Sequence, residues 1–355
     1  MTLPGQVHFV EPGGRGGVFQ HTAEIARLLA RSGVQVIIHT ASDFESVDLE
    51  HVGFCRCVRW HRALRPQILR RPFIVGDYLI KTLPHLRRIG EGRVVHVQGL
   101  FVSPLYALTL LSLRARSGRL VFSPHNTFSR AGRAWQERVL RKACRIPDVV
   151  VSYSSSDTAR LERWAGSAVI QCPLVQLAPD VSPAAVRDWR SRLAVNTGEP
   201  LLMIAGQIRE DKGVDAMIRA SKLLRQSVQL AVVGEDRGDL KRCQRIARDH
   251  GVHIAWVAEY LPLEAFAAAI AAADVVVLPY RQASQSGVLS LAAALGTPTV
   301  AYPVGGLCEA ATVTAERSDE RALADAIDLV LGTNANSPPK PETRSDWLER
   351  TYRNA

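Results

Sequence analysis

The sequence predicts an α/β protein built from two doubly wound domains that face each other across a cleft. Three observations lead there. Short apolar runs without charge alternate with helical stretches along the whole chain, the pattern of parallel strands buried on both faces. A proline-bearing stretch, PLVQLAPDVSP at 173–183, interrupts that alternation, which then starts again. Finally, 355 residues exceed what one ordinary core accommodates. The boundaries follow as 1–176 for the first domain and 177–341 for the second.

Taken in order, QVHFV at 6–10 is the first strand, and a glycine-rich turn leads to a helix from about 18 to 31. Further strands are expected at 34–40, 93–98, 120–123, 148–153 and 168–171. Beyond the prolines the strands read LLMIAG, QLAVVG, VHIAWV, DVVVLP and TPTVAY, separated by helices such as LEAFAAAIAAA. A polar linker, TNANSPPKP at 333–341, follows, and no fixed-period repeat is visible.

Composition narrows the function classes. Hydrophobic residues at 47% and charged residues at 22% are those of a globular protein. The net charge of +10 is unevenly placed: residues 1–176 carry 24 Lys and Arg against 12 Asp and Glu, and the remainder is near neutral. That asymmetry suggests an anionic partner for the first half, such as a membrane surface, a phosphorylated lipid or nucleic acid. Six scattered cysteines, with C-x-C as the one close pair, fit a reducing compartment better than a disulfide frame or a zinc site. Neither a basic leader before an apolar segment nor an apolar run of ~18 residues is visible, so a cytoplasmic location is expected.

The most informative stretch is PLLMIAGQIREDKG at 200–213. It reads as a buried strand, a polar turn carrying Arg209 and Lys212, and the start of a helix. Ligands in such sheets bind outside the carboxyl ends of the strands, and two fixed cations there suit a diphosphate; the bland alternative is a solvated turn. In the first domain, Gly13-Gly14-Arg15-Gly16-Gly17 lets backbone N–H groups approach a ligand. It is not a dinucleotide fingerprint, because G-x-G-x-x-G would require glycine at Phe19, and Asp43 is poorly placed for a ribose.

These motifs, with VHVQGL at 95–100, SPHNTF at 123–128, VVGE at 232–235, AADVVVLPY at 272–280, SQSGVLSLAAALGTPTVA at 284–301 and VGGLCE at 304–309, resemble the retaining nucleotide-sugar glycosyltransferases of the GT-B fold, specifically the family-4-like group. The resemblance covers nearly the whole chain. It implies two Rossmann-like domains, the first binding acceptor and the second binding the nucleotide-sugar donor, with the last helix, about 342–355, crossing back onto the first. By the resemblance, Arg209 and Lys212 hold the donor diphosphate and stabilise charge as it leaves, and His125 lies beside the transferred sugar. The family string places its arginine directly after the glycine, where this chain has Gln207, so Arg209 is inferred as the replacement. Gly16, Gly17, Gln207, Tyr260, Ser284, Gln285, Ser286, Gly287, Val288 and Glu309 are the remaining donor-binding candidates. Relatives carry two glutamates eight residues apart where this chain has Ala283 and Leu291. The serines and amides of Ser284-Gln285-Ser286-Gly287, entering a helix, are expected to face an anion in their stead.

The implied reaction is retaining transfer without a metal. No carboxylate pair flanks the site as in glycoside hydrolysis, and His51, His61 and His85 show no ligand spacing. On the acceptor side Arg56, Arg59, Arg62 and Arg65, with Trp60 between them, would form on a helix a basic strip able to lie on an anionic membrane surface. The expected partners are therefore a nucleotide sugar and a glycan or lipid-linked acceptor, with a peripheral position on the cytoplasmic face of the membrane. Two other classes compete: a catalytically degenerate sugar-binding relative, motivated by the missing glutamates, and a nucleic-acid-binding protein. The second is disfavoured because no nucleic-acid-binding motif accompanies the arginines.

Overall fold

The computed structural model describes residues 3–60, 67–89, 91–99, 105–127, 134–196, 198–333 and 346–353. The chain divides into two compact units, Met1–Val175 with Thr343–Ala355, and Gln176–Glu342. Each is a parallel sheet with helices on both faces.

The first sheet contains β1 (Gln6–Val10), β2 (Gln35–Ala41), β3 (Val52–Val58), β4 (Val94–Gln98), β5 (Arg119–Ser123), β6 (Val149–Ser152) and β7 (Ala168–Gln171), in the order β3-β2-β1-β4-β5-β6-β7. The second contains β8 (Leu201–Ala205), β9 (Gln229–Val233), β10 (Ile254–Val257), β11 (Val275–Leu278), β12 (Thr299–Ala301) and β13 (Val313–Thr314), in the order β10-β9-β8-β11-β12-β13. Every registered strand pair is parallel. The strand order reverses between β1 and β4 in one sheet and between β8 and β11 in the other. Loops leaving those strands diverge to opposite faces and open a crevice at each switch point.

Strand alternation feeds two cores per unit. On β8, Leu202 and Ile204 join Leu230, Val232 and Val277 on one face. Leu201, Met203 and Ala205 join Ala231, Val233 and Val276 on the other. With both faces covered, the strand must be apolar at every position, which is why LLMIA reads as a continuous run. In the first unit Phe9 packs with Ile25 and Leu29 of the Gly16–Arg31 helix, and the Asp346–Tyr352 helix adds Trp347, Leu348 and a fully buried Tyr352 to the same core. Tyr352 Oη lies 2.6 Å from His96 Nδ1, and Arg119 Nε donates to the Thr351 carbonyl at 3.2 Å.

Two strands escape the sequence reading. β13 is only two residues long. β3 occupies Val52–Val58, where the recurring arginines suggest a basic helical strip; instead VGFCRCV alternates and pairs with β2. Arg56 therefore lies on a strand, its guanidinium 5.3 Å from the centroid of the Phe44 ring. Arg59 is exposed in the irregular chain that follows, Trp60 donates its indole N–H to the Pro12 carbonyl at 2.7 Å, and Arg62 and Arg65 lie outside the described residues. No helix among the described residues is long and apolar enough to cross a membrane.

Candidate active site

The β8–β11 switch point brings together the two loops that the motifs single out. Leaving β8, Ile208 is anchored: it is buried, its N–H donates to the Glu235 carbonyl at 2.9 Å, and its carbonyl accepts from Arg237 at 3.0 Å. Extended chain alternates sides, so Gln207 and Arg209 fall together opposite Ile208. The two-residue displacement of the arginine thus keeps it on the side a residue directly after the glycine would occupy. A one-residue displacement would have buried it. Glu210–Lys212 then forms a 3₁₀ turn ending at Gly213, whose φ of 67° is left-handed. A Cβ there would stand 2.0 Å from the Pro279 carbonyl oxygen, so only glycine lets this turn approach the loop after β11.

The cations of the turn are engaged. Arg209 makes two bonds to Asp211, Nε to Oδ1 at 2.8 Å and Nη2 to Oδ2 at 2.7 Å. Lys212 Nζ sits 3.5 Å from the ring centroid of the buried Tyr280, a cation–π contact that holds the ammonium at the end of β11. Arg281, absent from the sequence-based candidates, ties the turn down: it donates to the Glu210 carbonyl at 2.6 Å and to Asp215 Oδ2 at 2.7 Å, and its N–H meets the Asp211 carbonyl at 2.9 Å. The buried Asp215 also receives Arg219 at 3.2 Å and Arg242 at 3.4 Å. Burial alone would raise the Asp215 carboxyl, but the bonds from Arg281 and Arg242 outweigh it and hold it below the ordinary carboxylate range. No local spacing signals this network, because its members come from three segments.

The second loop leads from β11 into the Gly287–Leu295 helix. Ser286 caps that helix with its Oγ accepting from the Leu289 N–H at 3.3 Å. The Ser286 oxygen thus serves its own helix as acceptor, while its hydroxyl proton is a separate donor. Ser284 differs: it is buried, and its Oγ has no hydrogen-bond partner among the described residues. The half-buried Gln285 lies between them. Val288 packs at Gly206, with its Cγ2 3.3 Å from where a Cβ on Gly206 would lie, so the helix start and the Arg209 loop meet. The VGG turn closes the far side. Gly306 N–H donates to the Ser284 carbonyl at 2.9 Å, and a Cβ on Gly305 (φ 55°) would stand 1.9 Å from the Ala283 oxygen. Glu309 follows, exposed, in the short Leu307–Ala310 helix. Leu291 is buried in the core, so that helix presents no carboxylate at its position. Tyr260, 42% exposed, lies in the loop after β10, which is two strands from β8 in the sheet.

In the first unit, the turn after β1 is partly self-filled. The Glu11 carboxylate accepts from Gly13 N–H at 3.0 Å and Gly14 N–H at 2.8 Å, with Thr40 Oγ1 donating at 3.1 Å. Those two amides hold an anion of the chain itself. Gly16 and Gly17 open the Gly16–Arg31 helix, where Arg15 at the N-cap makes no side-chain cap bond. His125, at the end of β5, adopts φ 57° and shares a hydrogen bond with Gln98 Oε1 at 2.6 Å through its Nε2. It stacks on Tyr153 at 5.1 Å and meets the edge of His21 at 5.4 Å. His21 Nδ1 donates to the Val175 carbonyl at 2.6 Å, and His96 Nε2 bonds Ser123 Oγ at 2.7 Å. Burial, reinforced by the neighbouring His21 and His96, lowers His125 well below the usual histidine value. It is a neutral imidazole with one nitrogen already committed to Gln98, suited to directing a hydrogen bond rather than carrying a charge.

One cluster of potential metal donors has no counterpart in the sequence spacing. His85 shows no ligand spacing in sequence, yet the fold gathers donor atoms of His39, Cys57 and His85 within 4.8 Å of one another. They come from β2, β3 and the Leu83–Ile89 helix, which no linear motif could reveal. His51 is in the turn before β3, and His61 lies outside the described residues.

Two parallel doubly wound sheets, with a cationic turn and a capped helix start meeting at a switch point, define a GT-B nucleotide-sugar transferase. Comparison with known proteins supports this along most of the chain. The family described as "Glycosyltransferase Family 4" matches residues 15–173, and "Glycosyl transferases group 1" matches residues 199–333. A D-inositol 3-phosphate glycosyltransferase from Pseudarthrobacter chlorophenolicus is 28% identical over 327 residues, covering 84% of this chain and 76% of that protein. Among solved structures, sucrose-phosphate synthase from Thermosynechococcus elongatus superposes with a TM-score of 0.71 at 18% identity, covering 98% of this chain and 95% of that one. HepE from Anabaena, solved with UDP and glucose, gives 0.68 at 15% identity with the same coverage. The chain belongs to the family-4-like glycosyltransferases of the GT-B fold and transfers sugar from a nucleotide-sugar donor.

Proposed function

We propose that the unit containing β8 to β13 binds a nucleoside-diphosphate sugar, that the other unit binds an anionic, phosphorylated or lipid-linked acceptor, and that transfer retains the anomeric configuration without a metal. The observation that carries the donor assignment is the convergence at one switch point of Arg209, Lys212, the unpartnered Ser284 hydroxyl and the start of the Gly287–Leu295 helix. The amides of Gly287 and Val288 complete an anion-binding cradle. As the bond between the anomeric carbon and the diphosphate oxygen lengthens, negative charge grows on the leaving group. Lys212 and the helix start are already in place to meet it, which is where fixed charge accelerates a reaction most. A diphosphate oxygen on the same face of the sugar takes the acceptor hydroxyl's proton. Neutral His125, its Nε2–H donated to Gln98, lies beside the transferred sugar.

Gln207 and Glu309 flank the cradle and contact the sugar, Tyr260 contacts the base, and Gly16 and Gly17 let the first unit's backbone approach the donor. The acceptor reading rests on the charge excess of residues 1–176 and on the similarity to a transferase named for inositol 3-phosphate. Arg59 and Trp60 are the described residues assigned to it. The test is a thermal-shift panel of UDP, GDP, ADP and TDP sugars with and without chelator, followed by stereochemical analysis of the product made with the best donor. Stabilisation by one donor class, unchanged by chelator, with the donor's anomeric configuration kept in the product, is expected. A product of inverted configuration, or stabilisation by no nucleotide sugar, defeats the reading.

A further inference from the structure

We propose that His39, Cys57 and His85, with Cys55 as fourth donor, form a structural site for a zinc-like divalent metal in the first unit, separate from sugar transfer. His39 Nδ1 faces His85 Nε2 at 3.2 Å, and Cys55 Sγ lies 3.3 Å from that same His85 nitrogen. Cys55 and Cys57, both on β3, lie close enough for their thiols to share a hydrogen bond. Two imidazole nitrogens and two sulfurs form the mixed, borderline-soft set that Zn²⁺ takes tetrahedrally. Tetrahedral ligands at about 2.0–2.3 Å from a metal stand roughly 3.5 Å apart, so His39, Cys57 and His85, whose donors already lie within 4.8 Å of one another, close around an ion by small side-chain rotations.

Three features of the surroundings, independent of residue type, support a built site. First, the outer nitrogen of His39 is held: Nε2 lies 3.0 Å from Nδ1 of the buried His8, the kind of second contact that orients a metal-binding imidazole. Second, the β2–β3 register shifts between Thr40 and Ala41, which pair with Arg56 and Val58, so Cys57 is the extra residue of a bulge. Bulges re-aim a side chain, and this one is fixed by Thr82 Oγ1 donating to the Cys57 carbonyl at 2.7 Å. Third, Tyr78–Thr82 is a π-helical segment leading directly into the helix that carries His85. Such segments are rare and concentrate at functional sites. The bound metal would clamp edge strand β3 to β2 and to the Leu83–Ile89 helix.

The test uses the full chain, freed of metal by chelator and titrated with Co²⁺. Stoichiometric binding is expected, with d–d bands of tetrahedral intensity and a thiolate-to-cobalt charge-transfer band that Zn²⁺ removes. Zn²⁺ should also raise the unfolding midpoint. Cys57→Ser should weaken binding at least about tenfold and reduce the charge-transfer band, while Cys308→Ser, at an exposed cysteine, should change neither. Should Cys57→Ser fail to fold, the wild-type spectrum decides on its own, since it reports thiolate ligation directly. A featureless octahedral cobalt spectrum overturns the proposal, as does a thiolate band that persists in Cys57→Ser and vanishes in Cys308→Ser. Sugar transfer that survives complete metal removal would leave this site standing, because its role is in stability.

Discussion

The two crevices, one in each unit, stand at equivalent places in similar sheets and are made of opposite materials. At the β8–β11 crevice, charge is met with charge: Arg209 with Asp211, and Arg281, Arg242 and Arg219 around Asp215. Beside β4 and β5, the buried polar groups His21, His96, His125, Gln98, Ser123 and Tyr153 are linked by hydrogen bonds and ring contacts rather than by ion pairs. Cations held in place by their partners suit a diphosphate and would be wasted on a sugar hydroxyl. A buried set of uncharged donors and acceptors suits a hydroxyl rather than a diphosphate. The two crevices thus differ in what they do with burial, one offsetting it with ion pairs and the other using neutral groups beside β4 and β5, with the Glu11 carboxylate after β1 held by backbone amides rather than by a cation.

The comparison breaks most decisively at Lys212. If the second crevice acts by preorganised charge, Lys212→Ala should lower turnover by about 10²–10³-fold while leaving the fold intact, since the ammonium rests on a ring rather than supporting the core. Steady-state kinetics with the best donor would measure it. A loss below tenfold would place the leaving-group charge elsewhere. His125→Ala serves as the contrast: with a neutral group removed, the loss should be smaller and the nucleotide affinity unchanged.

Next in size is the support beneath the turn. Asp215→Ala removes the carboxylate that three arginines share, although Arg242 keeps Asp239 and Arg219 keeps Glu320; breaking a buried pair from one side commonly costs about 3–5 kcal/mol. Arg219, Arg242 and Arg281 are 33–41% exposed and partly hydrated once released, so about 2–3 kcal/mol is expected, read from a denaturant midpoint. Arg281→Ala should instead disorder the Glu210–Lys212 turn and cost more in catalysis than in stability.

The sheets were legible in sequence because strands covered on both faces cannot carry charge: LLMIA, QLAVV and VVVL announce themselves. β3 did not, because an edge strand tolerates Arg56 and exposes alternate residues, and its arginines then imitate a basic helix. The strand–turn–helix at 201–221 was legible for the same reason, since a polar run directly after a buried strand marks where the chain leaves the sheet. Its engagement was not. That Arg209 rests on Asp211 two residues away, that the Ser286 oxygen caps its own helix, and that Glu11 fills the Gly13–Gly14 amides are facts of local geometry. The histidine cluster and the His39–Cys57–His85 site depend on which strands become neighbours, and spacing along the chain carries no trace of that.

The neutral crevice predicts a pH response that the charged one does not. Burial lowers His21 from 6.5 to about 4; its Nδ1 is held by the Val175 carbonyl, and the rings of Tyr153 and His125 cover it, with His96 close enough to oppose its charging. The unfolded chain binds a proton near pH 6.5 that the native state refuses until about 4. Stability is therefore full above 6.5 and falls as the pH drops through that window, by on the order of 2 kcal/mol at pH 5 for this one residue. His21→Phe should flatten that part of the stability profile, and a profile as steep as wild type would show that the cluster is hydrated.

The smallest effect tests whether the second crevice is poised or locked. In the free protein the Arg209 guanidinium is bidentate to Asp211, and a diphosphate must either displace that carboxylate or bind beside it. Displacement costs the ion pair, which at 21% and 28% side-chain exposure is worth about 1 kcal/mol. Asp211→Asn removes the competitor without removing the cation, so nucleoside diphosphate should bind up to about tenfold more tightly if Arg209 swings across. Calorimetric titration of wild type and variant would measure this. Unchanged affinity would mean that Arg209 stays with Asp211 throughout and that Lys212 and the helix start hold the diphosphate alone. The two-residue shift of the arginine would then mark the loss of one phosphate contact rather than its relocation.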